Sequence, residues 1–264
     1  MTSSDYRPGS SAAATLDTSD TPRIPMTRLI GVELRKLGDT RAGKWLLIGI
    51  GVITLAVIVI FFLAADPDER TFQTFIGITA TPQGFLLPVL GILLVTSEWS
   101  QRTALVTFTL MPVRGRVLGA KVVAALLAGV AAIVLAIVIA AAATVVGGAD
   151  GAWDGVGVDD FGKFFLLQAS GVLQGLAFGL LFLSSAAAIV TYFVLPTAFT
   201  ILATLWTALD TVRPWIDLAT AQTPLFSNID LTGEQWAQLT TASLIWVVLP
   251  FVVGLLRVLR AEVK

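Results

Sequence analysis

Beginning at Trp45, the chain runs through residues 45–65 without a single charged side chain, and further long apolar stretches follow it. About 20 consecutive, mostly apolar residues cross the hydrocarbon core of a bilayer as a helix. Surrounded by lipid, only helices and closed barrels satisfy every backbone polar group. A soluble domain would have to hide the same surface inside a core. With 56% hydrophobic and 13% charged residues, against about 25% charged in ordinary soluble domains, the surplus must face lipid.

A second apolar run covers residues 72–97 and is softened by Thr79, Thr81, Pro82, Gln83 and Pro88. The third covers 118–146 and is dominated by alanine and valine. Residues 161–209 are too long for one crossing, so they hold a fourth and a fifth span with a turn expected over 184–191. The sixth covers 239–256. The expected fold is an all-α integral membrane protein with six transmembrane helices, which puts both termini on one side. Lysine and arginine decide which side. With the N-terminus inside, the inner segments hold Arg7, Arg23, Arg28, Arg35, Lys36, Arg41, Lys44, Arg102, Arg114, Arg116, Lys121, Arg257, Arg260 and Lys264, whereas the outer ones hold only Arg70, Lys163 and Arg213. Cytoplasmic N- and C-termini and a multi-pass plasma (inner) membrane location follow.

Residues 1–26 are rich in Ser, Thr, Ala, Asp and Pro and contain no apolar core of the kind a secretory signal needs. They read as a disordered cytoplasmic tail. Residues 27–44 alternate apolar and basic side chains, with Leu29, Val32, Leu34 and Leu37 on a broad stripe, as expected of an amphipathic interfacial helix. Residues 45–264 form the six-helix transmembrane domain. Gly38, Gly43 and Lys44 match most of a P-loop, but Trp45 stands where Ser or Thr is needed, and no strand precedes the motif. ATP binding is therefore not expected on this chain.

The chain has no cysteine and no histidine, which removes thiolate chemistry, the commonest metal ligand and the usual proton relay. No Asp, Glu, Lys or Arg falls in the middle of an expected span, which disfavours ion-coupled carriers and intramembrane enzymes. What polarity the spans hold is neutral. Gln83, Gln168 and Gln174 are placed to make interhelical bonds or to line a path. Thr197, Thr200, Thr204 and Thr207 share one helical face; threonines in such positions either bond back to their own helix or form a polar strip. Candidate path residues are thus Gln83, Gln174, Thr197, Thr200 and Thr204. Small-residue stripes (Gly171, Gly175 and Gly179 in the fourth span, alanines 124 to 140 in the third) suit either packing within the chain or a dimer face.

Between the second and third spans lies the one substantial inner loop, SEWSQRTALVTFTLMPVRGRVLGAK. A short helix over residues 100–110 would present Leu105 and Phe108, with Met111 nearby and Glu98 and Arg102 flanking. Pro112 ends it, and Arg114 and Arg116 lead into the next span. A basic loop is ordinary on this side; an apolar face on a water-exposed helix is not.

An acidic residue closing the second span, a short threonine-containing helix, then Pro-x-Arg-x-Arg and a lysine opening the third span resemble the membrane-spanning permease subunits of type 2 ABC exporters. The VELRKL…TR approach to the first span resembles that family's interfacial elbow helix. The resemblance implies two six-helix subunits working by alternating access with separate cytoplasmic ATPases, on which ATP and Mg are expected. It implies that residues 102–110 form the coupling helix seated in the ATPase, with Glu98 at the family's acidic position. Expected partners are the ATPase subunits, a second permease subunit of the same or a homologous chain, and the bilayer, with no nucleic acid. The chain itself is expected not to be an enzyme. The alternative from another class is a non-transporting polytopic scaffold or signalling subunit. The substrate is not legible.

Overall fold

A computed structural model describes residues 24–101, 103–111, 113–226 and 230–260. Most of the expected N-terminal tail, together with Arg102 and Pro112, lies outside the described residues. Among the described residues all regular structure is helical, and six helices are long and apolar enough to cross a membrane. The chain is a multi-pass membrane protein.

Helix α1 (Met26–Asp39) leads at once into α2 (Arg41–Ala64). Thr40 ends the first and caps the second, its hydroxyl accepting from the Gly43 amide at 3.2 Å. A Cβ at Gly43 would run into the Leu37 carbonyl, so the joint is tight enough to require glycine. Helix α3 (Phe72–Ser100) follows a Thr71 cap and carries Pro82 and Pro88 in its interior. Then come the short α4 (Ala104–Leu110), the long α5 (Arg114–Gly147), α6 (Val158–Phe182) and α7 (Ser185–Leu205). The last span runs over Gly233–Arg260. It comprises α10 (Gly233–Ser243), a wider π turn (Leu244–Val248) and α11 (Leu249–Arg260), reached through the small helices α8 (Arg213–Ile216) and α9 (Leu218–Gln222).

The last span is longer than the expected 239–256 at both ends, and two other boundaries differ from expectation for physical reasons. The turn between α6 and α7 is only Leu183 and Ser184: Leu183 takes left-handed backbone (φ 55°), Ser184 is extended, and the helix resumes at Ser185. The Ala, Ile and Val that follow are helix-compatible, so most of the segment expected to turn is the start of α7. Helix α5 begins at Arg114 rather than near Leu118; its 34 residues span about 51 Å, well beyond a hydrocarbon core of about 30 Å. It is therefore longer than a perpendicular crossing requires.

Contacts fix the two ends of the bundle. At one, Lys36 meets Glu98, and Arg114 meets the Val258 carbonyl. The start of α2, the end of α3, α4, the start of α5 and the end of α11 thus share the basic end. At the other, the Phe72 ring stacks on Trp153 with centroids 5.2 Å apart. Helices α3 and α6 form the centre, each with 56% of its most apolar window buried, against 17% for α2 and 11% for α7. The close approach of α3 to α6 needs glycine: a Cβ at Gly175 would collide with the backbone carbonyl of Pro88. The glycine stripe of α6 is therefore turned onto α3. The alanine stripe of α5 is likewise buried within the chain.

Helices α8 and α9, between α7 and α10, do not stay at the end opposite the basic one. Gln222 donates to the Ser170 hydroxyl (2.7 Å), midway along α6, and Trp246, midway along the last span, donates from its indole to the Ile216 carbonyl (2.7 Å). Helices α8 and α9 therefore dip into the bundle, where surrounding protein makes irregular backbone tolerable.

Candidate functional site

The last turn of α3 delivers Glu98 to the basic end, where four elements converge on its carboxylate. Oε1 accepts from Lys36 Nζ of α1 at 2.7 Å and from Thr107 Oγ1 of α4 at 3.1 Å, and Lys121 Nζ of α5 stands 3.4 Å away. Glu33 of α1 closes the ring: its Oε1 accepts from Lys36 at 2.7 Å and its Oε2 from Lys121 at 2.6 Å. Lys121 also donates to the Leu94 carbonyl at 3.1 Å. Glu33, Glu98 and Lys121 are each at most 4% exposed, whereas the Lys36 side chain is 36% exposed, so two acids and two bases neutralise each other with only Lys36 open to solvent.

Burial alone would pull the Lys36 ammonium down, but its hydrogen bonds to Glu33 and Glu98, with the charges they carry, hold it above the usual lysine value. A buried, mutually satisfied cluster of this kind contributes little net stability, whereas deleting one member strands a charge. Its effect is geometric: it fixes α1, α3, α4 and α5 in one arrangement.

Below α4, Phe108 is 8% exposed, packed between Trp99 (centroids 6.3 Å apart) and the Arg114 guanidinium, 5.1 Å from the ring centroid. Arg114 also donates to the Val258 (2.9 Å) and Leu259 (3.4 Å) carbonyls, satisfying the end of α11. Arg116 holds the Ile24 carbonyl at 2.6 Å, where the chain enters α1. Met111 is half-buried. Of the loop's apolar residues, Leu105 (48% exposed), Val106 (57%) and Leu110 (75%) face outward. The expectation that Phe108 is presented alongside Leu105 therefore changes: Phe108 is the root of α4, and Leu105, Val106 and Leu110 are its face.

Glu33, Lys36, Thr107 and Lys121 escaped sequence reasoning as site residues. A signal existed: Glu33 sits between Leu29 and Leu37 on the apolar stripe of α1, an acid where a hydrophobe belongs. Lys121 falls inside the third apolar run.

The candidate path residues separate. Gln83 accepts from Gln168 at 2.8 Å and donates to the Ala132 carbonyl at 3.1 Å, a closed buried bond between α3, α5 and α6. Thr200 donates to Asp217 at 2.8 Å, and Thr204 bonds back to the Thr200 carbonyl at 2.7 Å. Gln174 and Thr197 share a cavity, together with Gly84, Tyr192 and Gln222. Among the described residues, no group of three or more His, Cys, Asp or Glu gathers where it could hold a metal ion.

The sequence matches no family model and no curated protein.

Proposed function

We propose that this chain is the membrane-spanning permease subunit of an ABC exporter of the type 2 organisation, acting as a dimer with separate cytoplasmic ATPase subunits. ATP and Mg bind to those partners, and the chain lies in the plasma membrane with both termini in the cytoplasm. The observation that carries the reading is the Glu98 cluster. Nucleotide-driven closure of an ATPase pair has to push on the membrane domain through a rigid, packed contact. A push on α4 reaches α3 through Thr107–Glu98, and α1 and α5 through Lys36 and Lys121. Leu105, Val106 and Leu110 provide an apolar surface for a groove on the partner. The excess of lysine and arginine at this end supports its cytoplasmic placement.

The test is a mild-detergent pull-down of the tagged chain from its native membranes, with Leu110→Glu as the control variant. Leu110 is exposed, so that substitution leaves the fold intact. Co-purification of a soluble P-loop protein, lost in Leu110→Glu, is the expected result. Recovery of the chain alone, or of the same soluble protein from both forms, overturns the docking role of α4 and favours a scaffold.

A further inference from the structure

Two adjoining cavities of about 280 and 210 Å³ open between α3, α6, α7 and the inserted α9, sharing Gly84, Phe85, Gln174, Tyr192, Ala219 and Gln222 as walls. Side by side they approach the range of small-molecule sites, about 300–1,000 Å³. Three polar features set their chemistry. Gln174 is 5% exposed, yet its amide nitrogen has no hydrogen-bond partner among the described residues, a state that normally costs stability unless something else occupies the donor. Pro88 and Pro196 lie inside α3 and α7. Lacking an N–H, each releases the carbonyl four residues earlier, which belongs to Gly84 and to Tyr192. Both residues line both cavities.

No Asp, Glu, Lys or Arg lines either cavity. The nearest acid in the inserted segment, Asp217, is already engaged by Thr200 (2.8 Å) and Thr220 (2.6 Å), with Arg213 3.8 Å away. Phe85, Tyr192 and Phe193 supply the apolar wall, Phe85 stacking on Phe193 with centroids 5.6 Å apart.

We propose that this cavity binds an uncharged amphiphile whose head group both accepts and donates hydrogen bonds, as an amide does: it accepts from Gln174 and donates to the released Gly84 and Tyr192 carbonyls, while its tail lies against the aromatic wall. A charged head would be buried with no counter-charge and is rejected. Naming this as the exported class rests on the exporter reading, whereas the binding itself does not.

The experiment uses the full chain in nanodiscs and three photoreactive diazirine probes with one ten-carbon tail and a primary amide, a carboxylate or a trimethylammonium head. Labelling is mapped by peptide mass spectrometry. The amide probe is expected to label residues 80–88, 168–174 and 192–197 at least about tenfold more than either charged probe. Gln174→Leu should lower that labelling by about 2- to 10-fold. A Cβ at Gly84 meets nothing within 4 Å and Gly84 lines both cavities, so Gly84→Leu places a side chain at their shared wall and should abolish labelling, with the melting temperature measured alongside to show that the fold is kept. Equal labelling by all three heads, or labelling that survives Gly84→Leu, overturns the proposal. Capture of an ATPase without cavity labelling refutes the ligand site alone; labelling without an ATPase refutes the exporter reading alone.

Discussion

Glu98 and Thr107 are joined at 3.1 Å across the break between α3 and α4, and the oxygen that accepts from Thr107 also accepts from Lys36. The short helix is thus tied by a side chain to the same carboxylate that binds α1 to the bundle. Two further bonds reinforce the corner: the Thr103 amide reaches the Glu98 carbonyl at 2.9 Å, and its hydroxyl reaches the same oxygen at 3.5 Å. A displacement of α4 therefore strains Glu98 as well as the packing of Phe108 on Trp99 and Arg114.

Thr107→Val keeps the shape of the side chain and removes the bond to the carboxylate. A hydrogen bond to a charged group is worth about 1.5–3 kcal/mol, so amide exchange over α4 should accelerate by about tenfold or more. The melting temperature of the bundle should move little, because Phe108, which α4 contributes to the core, stays in place. Hydrogen-exchange mass spectrometry decides it. Unchanged exchange over α4 would mean that the backbone bonds and Phe108 hold the helix unaided.

The cluster should behave as one unit. Glu98→Gln leaves Glu33 to neutralise both Lys36 and Lys121; because Lys36 is 36% exposed and can draw on water, the loss stays below the about 3–5 kcal/mol of a fully buried stranded charge and should lower the melting temperature by roughly 3–10 °C. Adding Lys121→Met restores neutrality and should recover at least half of that loss. Tryptophan fluorescence melts of the two single variants and the double variant test the coupling. A double variant as unstable as the sum of the singles would show that the charges act independently.

The spans were legible because hydropathy is a local property, written residue by residue along the chain. The charge cluster was not: Lys36 and Glu98 are 62 positions apart, and each alone reads as an ordinary charge at a membrane edge. Phe108 was misassigned because a single amphipathic helix does not reveal which part of its apolar stripe is covered; Trp99 and Arg114 cover it. Arg213 counts among the outer charges; its partner Asp217 is 2% exposed, surrounded by protein rather than lipid, a distinction hydropathy cannot register. The glycine stripe of α6 was visible, but its partner became clear only with Pro88 lying against Gly175.

That contact gives a sharp contrast among glycines of one helix. In Gly175→Ala the new methyl group collides with the Pro88 carbonyl, whereas at Gly162 it meets nothing within 4 Å. Overpacking of this kind costs about 1–3 kcal/mol, while alanine in an open helical position gains up to about 1 kcal/mol over glycine. Gly175→Ala should therefore melt lower than the parent, and Gly162→Ala at or slightly above it. Equal melting temperatures would place α6 farther from α3 than the structure has it.

The absence of cysteine makes orientation directly measurable, since any introduced thiol is the only one present. Gly31 and Gly115 lie at the basic end with open space around them, and Asp154 and Glu234 are exposed at the opposite end. With a membrane-impermeant maleimide on intact cells, Asp154→Cys and Glu234→Cys should react, and Gly31→Cys and Gly115→Cys should react only after permeabilisation. The basis is the concentration of Arg28, Arg35, Lys36, Arg41, Lys44, Arg114, Arg116, Arg257 and Arg260 at one end, against Arg70, Lys163 and Arg213 towards the other. The opposite labelling pattern would put α4 and the Glu98 cluster outside the cell. No ATPase could then reach Leu105 or Leu110, and the exporter reading would fail whatever co-purified with the chain.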